Sequence, residues 1–276
     1  MFERIVGALV RALLVGLMVT LPASLLPELR PDTAQIVVLF AIFGGLLTLI
    51  EYSARYPGLV EFRYAPPYNR IRVLSLAATV LLLGLLMRGQ WAPTPLTEFV
   101  EALGGMIGRW LDFPFSPLRL LLLTLPASAT LGEVAIMRAA AGLAALVALL
   151  TLGLFAASMW RTGWPAQHAA FNVWINLPTF DPTAGGDVVA RLERDGRTNI
   201  VLGVLLPFVT PALVLAAGSV LTPLSQAGAQ TQIWVIAAWA FLPACLLMRG
   251  MALSRIARMI RERREGAAAE APLQPV

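Results

Sequence analysis

Few residues in this sequence could do chemistry, and most of them stand at the edges of long apolar runs. Glu51, Glu133 and Arg138 are ionisable groups at or inside such runs. An ionised side chain is expensive in hydrocarbon, so its presence points to function unless a partner or the interface accounts for it. Arg55 follows Glu51 by four residues, the spacing of neighbours on one helix face, and a boundary ion pair is expected there. Arg138 lies about 6 Å inside its run at 1.5 Å per residue, a depth from which its guanidinium reaches the interface, so a structural role outweighs contact with a substrate. Pro207 and Pro211 stand one turn apart with Thr210 between them. Each proline removes a backbone donor and frees a carbonyl one turn earlier. Freed carbonyls beside a hydroxyl can bind a cation or polar solute, as the broken helices of transporters do, although a kink without a site is the plainer outcome. Arg138, Pro207, Thr210 and Pro211 are therefore the candidate polar site.

The remaining inventory excludes several classes of enzyme. Cys245 is the only cysteine, which rules out an internal disulfide and a thiolate metal cluster, and its apolar surroundings make it a packing residue. His168 is the only histidine, so any metal site would rest on carboxylates. No paired acids within one apolar run, Gly-x-Ser-x-Gly elbow, His-Glu-x-x-His helix or Gly-x-Gly-x-x-Gly loop occurs, and Gly185 with Gly186 is not followed by the Gly-Lys of a phosphate loop. No cofactor is expected. His168 near Asp181 could serve a reaction on lipid headgroups, but a lone histidine in an aromatic loop is ordinarily a polar surface residue.

The elements that must position these residues follow from composition. Of 276 residues 58% are hydrophobic and 13% charged, against roughly 25% charged in a soluble domain. Six runs, 5–26, 34–52, 71–87, 134–160, 200–221 and 233–248, approach or exceed the roughly 20 residues that cross a hydrocarbon core of about 30 Å. The sequence therefore predicts an all-α transmembrane helix bundle over residues 1–250. The first run has an alternative as a secretory signal peptide, with Arg4 and Arg11 at its positive end and Ala23 or Ser24 at a small-residue cleavage site. Residues 117–131, apolar but short, are expected as a re-entrant or interfacial helix; crossing would make seven spans.

All 21 basic residues are arginine, as in proteins from GC-rich bacterial genomes. Six spans put only Arg30, Arg88, Arg109, Arg119 and Arg138 on one side and the other 16 opposite, which places both termini in the cytoplasm of a bacterial inner membrane. Arginines spread between spans form no groove-facing stripe, so nucleic acid is not an expected partner.

Smaller features complete the layout. Phe99, Leu103, Met106 and Trp110 recur at helical spacing in 94–111 and predict an amphipathic helix resting on the outer face. The loop 161–199 carries Trp164 and Trp174, which suit the headgroup layer, and Asp187 and Gly196 bracket an expected short surface helix over 188–195. Within 251–276, Leu253, Ile256, Ala257 and Ile260 form a stripe with Arg255, Arg258 and Arg261 facing away, a basic amphipathic helix suited to anionic lipid. Arg255, Arg258, Arg261, Trp164 and Trp174 are thus the candidate headgroup contacts. Residues 266–276 are expected to be disordered. Gly44, Gly45, Ala140, Ala144 and Ala148 provide for close helix packing.

One internal match stands out. Thr20-Leu21-Pro22-Ala23-Ser24 returns as Thr124-Leu125-Pro126-Ala127-Ser128, and Leu47-Thr48-Leu49 as Leu150-Thr151-Leu152, which suggests a repeat of 5–88 in 112–221. With so little polar chemistry in the spans, the first expectation is a non-catalytic accessory or scaffold component of a membrane complex, partnered by the lipid bilayer, anionic lipids included, and by another membrane protein. A small-solute or lipid transporter is the alternative, and an interfacial lipid-modifying enzyme a distant third.

Overall fold

The computed structural model describes residues 2–27, 31–56, 58–165, 173–181, 183, 185–217 and 227–270. They form α1 (Phe2–Leu25), α2 (Pro31–Ser53), α3 (Tyr68–Gly89), α4 (Pro95–Leu111), α5 (Pro117–Leu123), α6 (Leu131–Thr162), α7 (Val173–Asn176), α8 (Val188–Ala217) and α9 (Ala229–Glu270). Helices α1, α2, α3, α6, α8 and α9 are long and apolar enough to cross a membrane. Even α3, at 22 residues, reaches about 33 Å. The chain is a polytopic, all-α membrane bundle, with six spans among the described residues.

The seventh crossing fails on length, since the seven residues of α5 cover only about 10 Å. Ser116 caps its start by accepting from the Arg119 N–H at 3.0 Å, and the Thr124 hydroxyl closes its end on the Leu121 carbonyl at 2.6 Å. The two Thr-Leu-Pro-Ala-Ser segments fold differently. The first continues α1 to its last turns, whereas the second leaves α5 as a turn.

Helix α6 is the centre of the bundle, packing on α3, α4, α5 and α9. Half of its most apolar stretch is buried, against 11% in α1, α2 and α8, so those three present their apolar sides outward. Leu83 and Leu86 of α3, Leu143 and Ala144 of α6, and Ile233 and Ile236 of α9 make the core at the end of the bundle that carries α4 and α5. A second core at the arginine-rich end joins Phe62, Tyr68, Phe155 and Trp164 to Leu192, Met248, Leu253 and Ile256. The expected small-residue contacts are present: Ala140 and Ala144 are fully buried, and a Cβ at Gly45 would stand 3.4 Å from the Ala12 carbonyl oxygen of α1.

Helix α4 forms as predicted, with its small face, Thr97, Val100, Gly104 and Gly108, on its neighbours and Phe99, Met106 and Trp110 exposed, because glycine admits the α6 backbone where a large side chain would not. Two other expectations need correction. No separate surface helix ends at Gly196. Asp187 does cap it, accepting from the Val189 and Ala190 N–H groups, and the Arg264 guanidinium together with those donors holds its carboxyl below the usual range. The helix then runs unbroken into the span, because Gly196 is the point where α8 touches α9, its would-be Cβ 2.8 Å from the Ser254 Oγ. Similarly, residues 251–270 continue α9 directly, so 266–270 are helical and 271–276 lie outside the described residues. Successive contacts of Gly196 with Gly250 and Ser254, and of Gly203 with Pro243 and Leu247, set α8 and α9 antiparallel.

Candidate functional site

Helix α8 packs on α9 and α5 and leaves a gap towards α6. The gap is a cavity of about 240 Å³. Leu111, Phe113, Pro117 and Leu118 close it at one end, Ala145, Ala148, Leu149 and Leu152 of α6 form one wall, and Gly203, Pro207, Trp239, Ala240, Pro243, Ala244 and Leu247 form the other. This lining is almost wholly apolar.

Of the proline pair, Pro207 belongs to that wall, and the carbonyl freed by Pro211 already has a partner. Pro211 removes the donor that would serve the Pro207 carbonyl, and the Trp239 indole N–H of α9 supplies a replacement at 3.1 Å. The Thr210 hydroxyl donates back to the Leu206 carbonyl at 2.8 Å, and Pro211 is buried. The oxygen freed by Pro211 thus accepts one hydrogen bond from the neighbouring helix. Trp239→Phe keeps the ring and loses the donor, leaving that carbonyl unpaired away from water; we expect a loss of about 1–3 kcal/mol, read as lower thermal stability in detergent.

Arg138 is not part of this cavity. Its Nε donates to the Asp112 Oδ2 at 3.0 Å, and Asp112 Oδ1 meets the Arg119 Nε at 2.7 Å. The 7% exposed Asp112 side chain thus fastens the α4–α5 connection to α6. Sequence reasoning missed this partner because Asp112 is 26 residues from Arg138 and belongs to no helix face that periodicity could reveal.

Glu51 also differs from expectation. Its Oε1 accepts from the Gly58, Leu59 and Val60 N–H groups at 2.7–2.9 Å, so it organises the loop after α2 instead of pairing with Arg55. Three convergent donors from a turning backbone outcompete one flexible guanidinium. Arg55 lies over the Tyr56 ring, and Arg63 reaches the Glu51 and Ala54 carbonyls. Glu133 closes a capping box with Thr130 at the start of α6.

The least anticipated assembly is centred on Glu61. Its carboxylate receives Arg249 of α9 in a two-pronged pair, at 2.7 and 2.8 Å, and the Thr179 hydroxyl at 2.7 Å. Asn69 of α3 donates to its carbonyl at 2.7 Å. Phe62 N–H donates to the Asn176 carbonyl, and Tyr64 N–H to the Asn176 side chain. The arginine-rich end is therefore a tied platform of both loops on α3 and α9. A separation of 188 residues left no signal for it in the sequence.

The candidate headgroup residues divide. Trp164 is 1% exposed, donates its indole N–H to the Ala65 carbonyl at 3.0 Å and stacks with Tyr68, so it is a core residue and not an interfacial one. Arg255 points back to the Trp164 carbonyl. Arg261 pairs with Glu193 and lines a cleft with Arg258. Leu253, Ile256 and Ala257, the stripe of that helix, are buried by the protein and not by lipid. Trp174 lies in α7. His168 falls outside the described residues, and Asp181 is held by the Thr183 hydroxyl and N–H.

Among the described residues no three His, Cys, Asp or Glu side chains gather where they could hold a metal ion. Comparison with protein-family models, curated proteins and solved structures gives no match to this chain.

Proposed function

We propose that this chain is a non-catalytic accessory or scaffold component of a membrane assembly, in a bacterial inner membrane with its arginine-rich end in the cytoplasm. The single observation that carries the reading is the apolar cavity between α6 and α8. A path for a polar solute needs unpaired polar groups at depth, whereas here the Pro207 carbonyl accepts from Trp239 and the lining side chains are apolar except for Ser116 and the indole N–H already so engaged. Ala145, Ala148, Gly203, Ala240 and Ala244 keep the walls shallow, which suits close approach of a partner's transmembrane helix where lipid offers no hydrophobic drive for association. The orientation follows from the excess of arginine at one end.

The test is purification from native membranes in mild detergent, wild type beside Ala148→Trp. Wild type should carry one membrane protein in stoichiometric amount. A tryptophan at the half-buried Ala148 should fill the cavity and cut retention of that partner at least about tenfold, some 1.4 kcal/mol, at unchanged yield of the chain itself. A wild-type chain that elutes alone, or a variant that keeps its partner, overturns the reading.

A further inference from the structure

At the arginine-rich end, α8 and α9 enclose a second cleft, of about 370 Å³, lined by Glu193, Arg197, Ile200, Ser254, Arg258 and Arg261. We propose that this cleft binds a phosphate-bearing anion, the chemistry carried by the headgroup of an anionic phospholipid. The inference stands apart from the accessory role and does not depend on the α6–α8 cavity.

Charge is the first argument. Three guanidinium groups face one carboxylate, and Glu193 is engaged by Arg261. Arg197 and Arg258 are exposed and have no ion-pair partner among the described residues. Guanidinium presents a planar fork of donors that matches the oxygens of a phosphate, so two unpaired forks in one cleft favour such an anion.

Convergence is the second. Gly196 and Gly250 let the helices touch, a Cβ at Gly250 falling 2.7 Å from the Gly196 carbonyl oxygen, and this contact sets Arg197 beside Ser254. Side chains lean towards the N-terminus of their own helix. In an antiparallel pair, Arg197 therefore leans outward along α8 while Arg258 leans back along α9 towards the membrane, and the two charged heads approach each other.

Depth is the third. Ile200 opens the apolar run of α8 and lines the cleft. Arg197 is then about 4.5 Å beyond the hydrocarbon edge at 1.5 Å per residue. The headgroup layer on each side is about 5–8 Å thick, so the cleft is level with lipid phosphates.

The full chain in dodecyl maltoside would be titrated with dioleoyl phosphatidylglycerol, with dioleoyl phosphatidylcholine and with sodium phosphate, binding being read by native mass spectrometry and by the rise in melting temperature. Phosphatidylglycerol should bind, and Arg197→Gln combined with Arg258→Gln should weaken it at least about tenfold. Arg194→Gln with Arg263→Gln, an equal loss of charge outside the cleft, should change it less than about twofold. Competition by sodium phosphate with the same arginine dependence assigns the site to a soluble phosphate, and its absence assigns it to the lipid; both support the cleft. Equal weakening by the two pairs, or equal binding of the two lipids, overturns it. If the double variant loses its gel-filtration profile, Arg258→Gln alone, at an exposed position, should still weaken phosphatidylglycerol about threefold, and an unchanged affinity overturns the proposal.

Discussion

Gly142→Leu is expected to abolish the monodisperse bundle. A Cβ at Gly142 would stand 2.5 Å from the Gly104 carbonyl oxygen and 2.6 Å from the Gly108 nitrogen, and all three nearest atoms are α4 backbone, which cannot rotate away. The contact is mutual, since a Cβ at Gly108 would come within 2.4 Å of the Arg138 carbonyl oxygen. Overpacking ordinarily costs about 1–3 kcal/mol, and a clash with main chain on both sides lies at or above the top of that range. Separation of α4 from α6 would also uncouple the Asp112 tie to Arg138 and Arg119. Size-exclusion profile and melting temperature in detergent provide the readout. Gly153→Leu, on the same helix with open space around its Cβ, serves as the control and should change little. If the two variants behave alike, the α4–α6 contact is not what holds the bundle.

Glu61→Ala should be the most damaging single loss of a polar group. It leaves Arg249, with a 27% exposed side chain, without its counterion, and releases Thr179 at the same time. Removing one partner of a buried pair typically costs about 3–5 kcal/mol because the other charge stays behind. Partial exposure puts the expected loss near 3 kcal/mol. The double variant Glu61→Ala/Arg249→Met removes both charges and should be more stable than Glu61→Ala by at least about 1 kcal/mol. Thermal unfolding of the four members of this cycle in nanodiscs measures the coupling, and a double variant as unstable as the sum of the singles would disprove the ion pair's role.

Hydropathy located the six spans, because a bilayer demands a minimum run of apolar residues that can be counted along the chain, while 117–131 was marginal in length and only the distribution of arginine spoke against a seventh crossing. Local rules also held where the interaction is local: Asp187 caps α8, and Glu133 closes its box with Thr130. The same reading failed where partners are remote. It gave Glu51 to Arg55, its neighbour by helical spacing, while the fold supplied three backbone donors from the following loop. It read a kink at the two-proline stretch of α8, with a polar site as the lesser outcome, and nothing in the linear order announced that Trp239 would cross to the Pro207 carbonyl.

What the sequence determined by itself was the solvent of this protein, its helical class and the position of its six long spans, all consequences of transfer free energies that act residue by residue along one segment, while the short length of α5 removed the seventh crossing. Only the tertiary structure decided which faces of those helices meet each other. Gly196 became a contact and not a stop, Trp164 a core residue and not an interfacial one, and Glu61 the counterion of Arg249. The physical reason is that lipid exposes and buries apolar side chains at nearly equal cost, so hydrophobicity fixes that a helix crosses but not which face it turns inward. That choice is made by small residues and satisfied polar groups on segments far apart in the chain.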